Sequence, residues 1–230
     1  MTLSMLIMIL VAATTALGAP QDAPKRVGDA YPLTICPVSK RPLGDSPMVV
    51  ILQGMQDSDM NGREVKFCCG GCKTRFMANP KASLEALDAA IVKDQLRVYP
   101  LANCIVMPDD AMTDPRGDKA MQDKNVIIGN RLYRFCCKAC IRRFKRNPGP
   151  YTSVLDKLVI EQQSENYPLE VCVVSGNKLT QKPFDLVVAN RLVRTCCGGC
   201  ADRVRSDPTA SIAMIDKAMA DRTSAPKTTD

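Results

Sequence analysis

The chain of 230 residues has no histidine and no tryptophan, and aromatic residues make up only 4% of it. Without histidine it lacks the side chain that most often moves protons near neutral pH and most often ligates metals through nitrogen. It has no glycine-rich phosphate-binding loop, and no nucleophile stands beside an evident base. These absences point away from an enzyme. The scarcity of aromatics also leaves few surfaces on which nucleotide bases can stack. The formal charge of +7 is therefore not read as a sign of a nucleic-acid partner.

Long apolar runs are absent as well, with one exception. Residues 1–18 carry no charged side chain and are mostly Leu, Ile, Met, Val and Ala, ending at Ala16-Leu17-Gly18-Ala19. A short apolar run with small residues at its end reads as a cleavable secretory signal. An uncleaved membrane anchor is the competing reading, but a spanning helix needs about 20 apolar residues. The expected protein is exported, periplasmic or secreted, with no stable membrane span after cleavage. Residues 19–30 read as a flexible polar leader, and residues 221–230 as a disordered, charged tail.

What the chain does have is 12 cysteines in a fixed register. Twin-cysteine boxes occur at Cys68-Cys69-Gly70-Gly71-Cys72, Cys136-Cys137-Lys138-Ala139-Cys140 and Cys196-Cys197-Gly198-Gly199-Cys200, with Cys36, Cys104 and Cys172 upstream. Tyr31-Pro32-Leu33, Tyr99-Pro100-Leu101 and Tyr167-Pro168-Leu169 recur at intervals of 68 residues. Arg63, Arg131 and Arg191 each stand five residues before a box, and Asn79-Pro80, Asn147-Pro148 and Asp207-Pro208 begin seven residues after its last cysteine. Such self-similarity defines tandem repeats. The cysteine modules are read as residues 31–98, 99–166 and 167–220.

Each repeat reads as the same series of elements. A turn follows the first cysteine. Two short β runs then flank a Gly/Asn turn, as in a hairpin: Met48–Gln53 and Arg63–Phe67, Val126–Gly129 and Arg131–Phe135, Phe184–Ala189 and Arg191–Thr195. The second strand leads into the box, which opens a short helix. On that helix Cys68 and Cys72, four apart, are expected to share a face, with Phe76 and Phe144 turned into the core. Proline disfavours the helical conformation of the residue before it, so Asn79, Asn147 and Asp207 end this helix. A second helix follows over 81–95, 151–165 and 209–221. Leu84, Leu87 and Ile91 form its apolar stripe in the first repeat, and Val154, Leu155, Leu158 and Ile160 in the second. The fold class is α+β: three tandem small treble-clef-like units of knuckle turn, β-hairpin, short helix and second helix. A unit of roughly 55 residues buries too little surface to be robust alone and generally needs a metal or disulfides.

The pattern Cys36…Cys68-x-x-x-Cys72, followed by Phe76 and Asn79-Pro80, resembles the TRASH/YHS-type heavy-metal-binding module, over residues 31 to about 220. The resemblance implies binding, sensing or trafficking of soft or borderline metals. It implies ligand roles for Cys36, Cys68 and Cys72, for Cys104, Cys136 and Cys140, and for Cys172, Cys196 and Cys200. The sequence departs from that module in three ways. The spacer between first and second ligands is longer. Ser39, Met107 and Ser175 stand where a four-cysteine knuckle has another cysteine. Thr195 and Val204 replace phenylalanines in the third repeat, so a thinner core is expected there. The remaining thiols, Cys69, Cys137 and Cys197, are candidates for the fourth ligand.

Three uses of the thiols stay open: metal binding, structural disulfides and thiol–disulfide exchange, for which Cys69-x-x-Cys72 has the spacing but not the thioredoxin βαβ context. Export favours disulfides, and the alternative function is a disulfide-stabilised interaction scaffold. Adjacent cysteines are awkward to bridge, whereas one ion accepts several thiolates at about 2.3 Å. All-sulfur ligands select Zn(II), Cu(I) and similar ions, so Zn²⁺ or Cu⁺ is the expected cofactor at all twelve cysteines. Basic residues beside the boxes, notably Lys138, Arg142, Arg143, Lys145 and Arg146, offset thiolate charge and favour ionised thiols. Met107 near Cys104 suggests a second site biased to Cu(I). Asp109 and Asp110, and Asp57 and Asp59, read as loop solvation or, more weakly, as a contact for a hard cation.

Overall fold

A computed structural model describes residues 24–110 and 124–224. The signal reading, the start of the leader and the end of the tail fall outside the described residues. In the first repeat, strands β1 (Met48–Ile51) and β2 (Glu64–Phe67) lead to helices α1 (Gly70–Ala78) and α2 (Pro80–Leu96). The second has β3 (Asn125–Ile128), β4 (Arg131–Arg134), α3 (Lys138–Arg146) and α4 (Pro148–Ser164), and the third β5 (Phe184–Val188), β6 (Arg191–Thr195), α5 (Gly198–Ser206) and α6 (Thr209–Ser224). The strands pair antiparallel into three two-stranded sheets, each within one repeat. The architecture is thus the expected α+β series, three times over.

Local chemistry accounts for the element boundaries. Asn79 sits at φ −142°, ψ 76° and breaks the chain between α1 and α2, and its side chain accepts from the Ala82 amide at 3.3 Å. Pro80 then occupies the first turn of α2, where its missing N–H costs nothing. Asn147 and Asp207 repeat the break, at φ −152° and −144°. The hairpin turns of the second and third repeats place Gly129 and Asn130 at φ 53° and 64°, and Ala189 and Asn190 at 50° and 59°. Two successive left-handed residues make the tight turn whose twist matches a hairpin.

The packing differs from expectation in two places. In α4 the buried pair is Leu155 and Val159, while Val154 is exposed, so the apolar stripe is rotated from the predicted one. The core of the third repeat is not thin, because the second and third repeats share one. Phe135, Phe144, Leu155 and Val159 join Leu186, Leu192, Val193, Val204 and Ile212 in a single buried cluster. The first repeat keeps its own cluster, in which Phe67 and Phe76 meet edge-on with centroids 5.2 Å apart.

Polar side chains link each repeat to the next. Gln95, at the end of α2, is buried; it accepts from the Leu132 amide and donates to the Asn130 carbonyl, both at 2.8 Å. Gln163, 68 residues on, does the same for Leu192 and Asn190 at 2.8 and 3.0 Å. Arg63 donates to the Asn130 side chain at 2.7 Å and Arg131 to that of Asn190 at 2.8 Å, while pairing with Asp88 and Asp156 of their own repeats. Arg191 pairs with Asp216 of its own repeat and with Asp94 of the first, and Lys66 pairs with Asp207, so the third repeat returns to the first. Residues 26–29, part of the segment read as a flexible leader, run across the three hairpin turns. The Val27 amide donates to Gly62 at 2.8 Å, the Asp29 amide to Gly129 at 2.7 Å, and the Ala189 amide to the Asp29 carboxylate at 2.8 Å. Among the described residues, no helix is long and apolar enough to cross a membrane.

Candidate metal centres

Each repeat gathers three sulfurs. Cys36, Cys68 and Cys72 form one group, Cys104, Cys136 and Cys140 the second, and Cys172, Cys196 and Cys200 the third; within each, all Sγ atoms lie within 4.8 Å of one another. The knuckle turn positions the first sulfur. The Cys36 amide donates to the Arg41 carbonyl at 2.8 Å, and the Lys40 amide returns to Cys36 at 3.0 Å, with Lys40 left-handed at φ 59°. The third repeat copies this through Cys172, Asn177 and Gly176, the last at φ 72°.

The box supplies the other two sulfurs, though not as expected. The short helix begins only at Gly70, and Cys69 caps it in extended conformation at φ −165°, ψ 165°. Cys68 therefore precedes the helix instead of sharing its face with Cys72. The bend at the extended cap still brings their sulfurs to 3.6 Å. The corresponding distances are 3.6 Å for Cys136 and Cys140 and 3.8 Å for Cys196 and Cys200. An ion bound to thiolates at about 2.3 Å with tetrahedral angles separates its sulfurs by about 3.8 Å. A disulfide requires about 2.05 Å, and all twelve cysteines are unbonded. One edge of each group thus has the length expected in a metal's coordination shell, and the other edges stay within 4.8 Å.

The remaining thiol of each box lies at the solvent edge, outside the three-sulfur group. Cys69 and Cys197 are exposed and Cys137 half-buried. The Cys69 sulfur is 4.0 Å from that of Cys68, and the Cys137 sulfur 3.5 Å from that of Cys140. At each helix start the amide and thiol of the box's last cysteine hold this outer thiol below the ordinary value. Partial positive charge at helix N-termini favours anions in this way.

The inner thiols divide the protons. Burial raises Cys36, but hydrogen bonds from the Ser39 hydroxyl and nearby amides outweigh it and bring the thiol down to about 6. Cys172 is likewise lowered to about 6, with Ser175 in the same role. Cys72 is pushed up to about 12, chiefly by donating to Cys69 and by burial. Cys140 and Cys200 reach about 12, chiefly through burial. Without metal, the first and third sites thus mix thiolate and thiol, and an arriving ion must displace protons.

The second site departs from its neighbours. The hydroxyls of Ser39 and Ser175 lie 3.3 Å and 3.4 Å from Cys68 and Cys196. In the second site it is Asp110, not Met107, that meets the equivalent sulfur: Cys136 donates to the Asp110 carboxylate at 3.4 Å. Met107 is exposed, and the Asp110 carboxylate takes the position beside Cys136. Burial, together with hydrogen bonds to Cys140, Cys104 and Asp110, holds Cys136 in its protonated form. Of the other acidic residues, Asp59 pairs with Lys145 of the second repeat. Comparisons with protein families, with curated proteins and with solved structures give no match.

Proposed function

We propose that this chain binds thiophilic metal ions, one at each trio of inner cysteines, as an exported, non-enzymatic protein of metal storage, trafficking or resistance. The observation that carries the proposal is the three-sulfur group, built three times from unbonded cysteines, one edge of which has the length expected in a metal's coordination shell. Zn²⁺ and Cu⁺ are the ions whose chemistry fits such donors. The resemblance to TRASH/YHS-type modules supports the same reading.

Cys69, Cys137 and Cys197 stand at the open side of the sites, beside the inner trios. Their place at the solvent edge suits them to receive an ion from solvent or a partner and to pass it inward to the trio. A purely structural site would be closed by its ligands; these keep one thiol at the surface, which favours exchange.

Anaerobic titration of the full chain with Zn²⁺ against a chromophoric chelator tests the proposal. Wild type should bind three equivalents and release protons. Cys72→Ser should bind two, with the other sites unchanged. Three equivalents in the Cys72→Ser chain would refute the ligand assignment.

A further inference from the structure

The second knuckle is wider than the other two. Its closing hydrogen bond runs from the Cys104 amide to the carbonyl of Asp110, six residues on, at 2.9 Å. The first and third close on the fifth residue, Arg41 and Asn177. The cause is Pro108. It stands fourth after the cysteine, where Lys40 and Gly176 take left-handed φ of 59° and 72°. A proline is locked near φ −65° and cannot adopt that turn. The chain takes up one more residue before closing, and a second turn bond, from the Asp110 amide to the Met107 carbonyl at 3.0 Å, fixes the added corner. This detour delivers the Asp110 carboxylate to Cys136 at 3.4 Å.

We infer that Asp110 is an oxygen ligand of the second site, which makes it a three-sulfur, one-oxygen centre selective for a borderline divalent ion of the zinc class over Cu⁺. The inference rests on the proposed reading of the cysteine trios as metal sites. An ion with a sulfur at about 2.3 Å and a carboxylate oxygen at about 2.1 Å in tetrahedral arrangement spaces the two by about 3.6 Å. Asp110 and Cys136 already stand close to that separation, while the carboxylate lies outside the group of three sulfurs and must swing in from the Cys136 side to complete the shell. When the Cys136 proton leaves, the ion takes its place between sulfur and oxygen. The first and third sites present serine hydroxyls at this position, which are weak ligands for soft ions. Carboxylate oxygen suits harder ions than thiolate does, so one protein carries two classes of site. Cys137 keeps the receiving role at the surface.

The test compares anaerobic wild-type, Asp110→Asn, Asp109→Asn and Cys137→Ser full-length chains in Zn²⁺ and Cu⁺ competition titrations. Asp110 is exposed, so its substitution leaves the fold intact. In wild type one of three zinc equivalents should exceed the others in Zn²⁺-over-Cu⁺ preference. Asp110→Asn should weaken that equivalent about tenfold or more and leave Cu⁺ binding unchanged, and Asp109→Asn should match wild type. Three zinc equivalents of equal preference, an unchanged Asp110→Asn chain, or loss of the selective equivalent in Cys137→Ser alone would overturn the inference while leaving the metal reading standing. Absence of zinc binding in wild type would instead overturn the proposed function and the inference with it.

Discussion

Asp29 lies where the three hairpin turns converge. It accepts the Ala189 amide through its carboxylate and donates its own amide to Gly129. Burial raises its pKa above the ordinary 3.8, and the nearby Arg131 charge and the Ala189 amide only partly offset this. The sign follows from linkage. A carboxyl with a raised folded pKa favours the fold while protonated; that contribution is complete below 3.8 and disappears as pH rises through the folded value. At neutral pH the ionised group is a cost. Asp29→Asn retains an oxygen for the Ala189 amide without the charge. The variant should melt above wild type at pH 7, and the difference should vanish below about pH 4. Equal melting temperatures at pH 7, followed across that range by circular dichroism, would show that the carboxylate is not strained by burial.

The hairpin turns and the leader segment that crosses them act as one device at the scale of elements. A Cβ on Gly129 would stand 2.6 Å from the Gly28 Cα and 2.9 Å from the Val27 carbonyl oxygen. Ala189 holds the same turn position in the third repeat at φ 50°, so the turn itself tolerates alanine. Gly129→Ala should therefore fail only against the leader segment, costing about 1–3 kcal/mol as other overpacked sites do. Trypsin should then cut at Lys25 and Arg26 faster than in wild type, and unchanged cleavage and stability would separate the segment from the turns. Element order was legible from sequence because each boundary has a local cause, such as the proline after Asn79, Asn147 and Asp207. The site geometry was less legible. The four-residue spacing of Cys68 and Cys72 suggested a helical face, but the extended cap at Cys69 makes the contact by another route. Pro108 was the visible signal for the second knuckle: it occupies the one turn position that its ring forbids, and so it marks Asp110 as more than loop solvation.

The whole molecule is held by contacts that no local period reveals. Arg63, Arg131 and Arg191 stood out by register, yet Arg63 and Arg131 also reach the next repeat's asparagine, and Arg191 reaches back to Asp94. Their partners Asp88, Asp156 and Asp216 keep the same intervals of 68 and 60, so half of the network was written in the sequence. The pairing across repeats was not, because it depends on how hairpin meets helix in space. The shared core of the second and third repeats likewise compensates for Thr195 and Val204, which looked like weaknesses within one repeat. These links give the small units a common frame and leave the cysteine trios free to bind ions instead of bearing the fold alone. The most direct test of three metal sites in one body is metal analysis with thiol counting on anaerobically purified full-length protein. The account predicts three equivalents of Zn²⁺ or Cu⁺ per chain and, after chelation and unfolding, all twelve cysteines reactive as free thiols. A metal-free protein whose cysteines are locked in disulfides would contradict it.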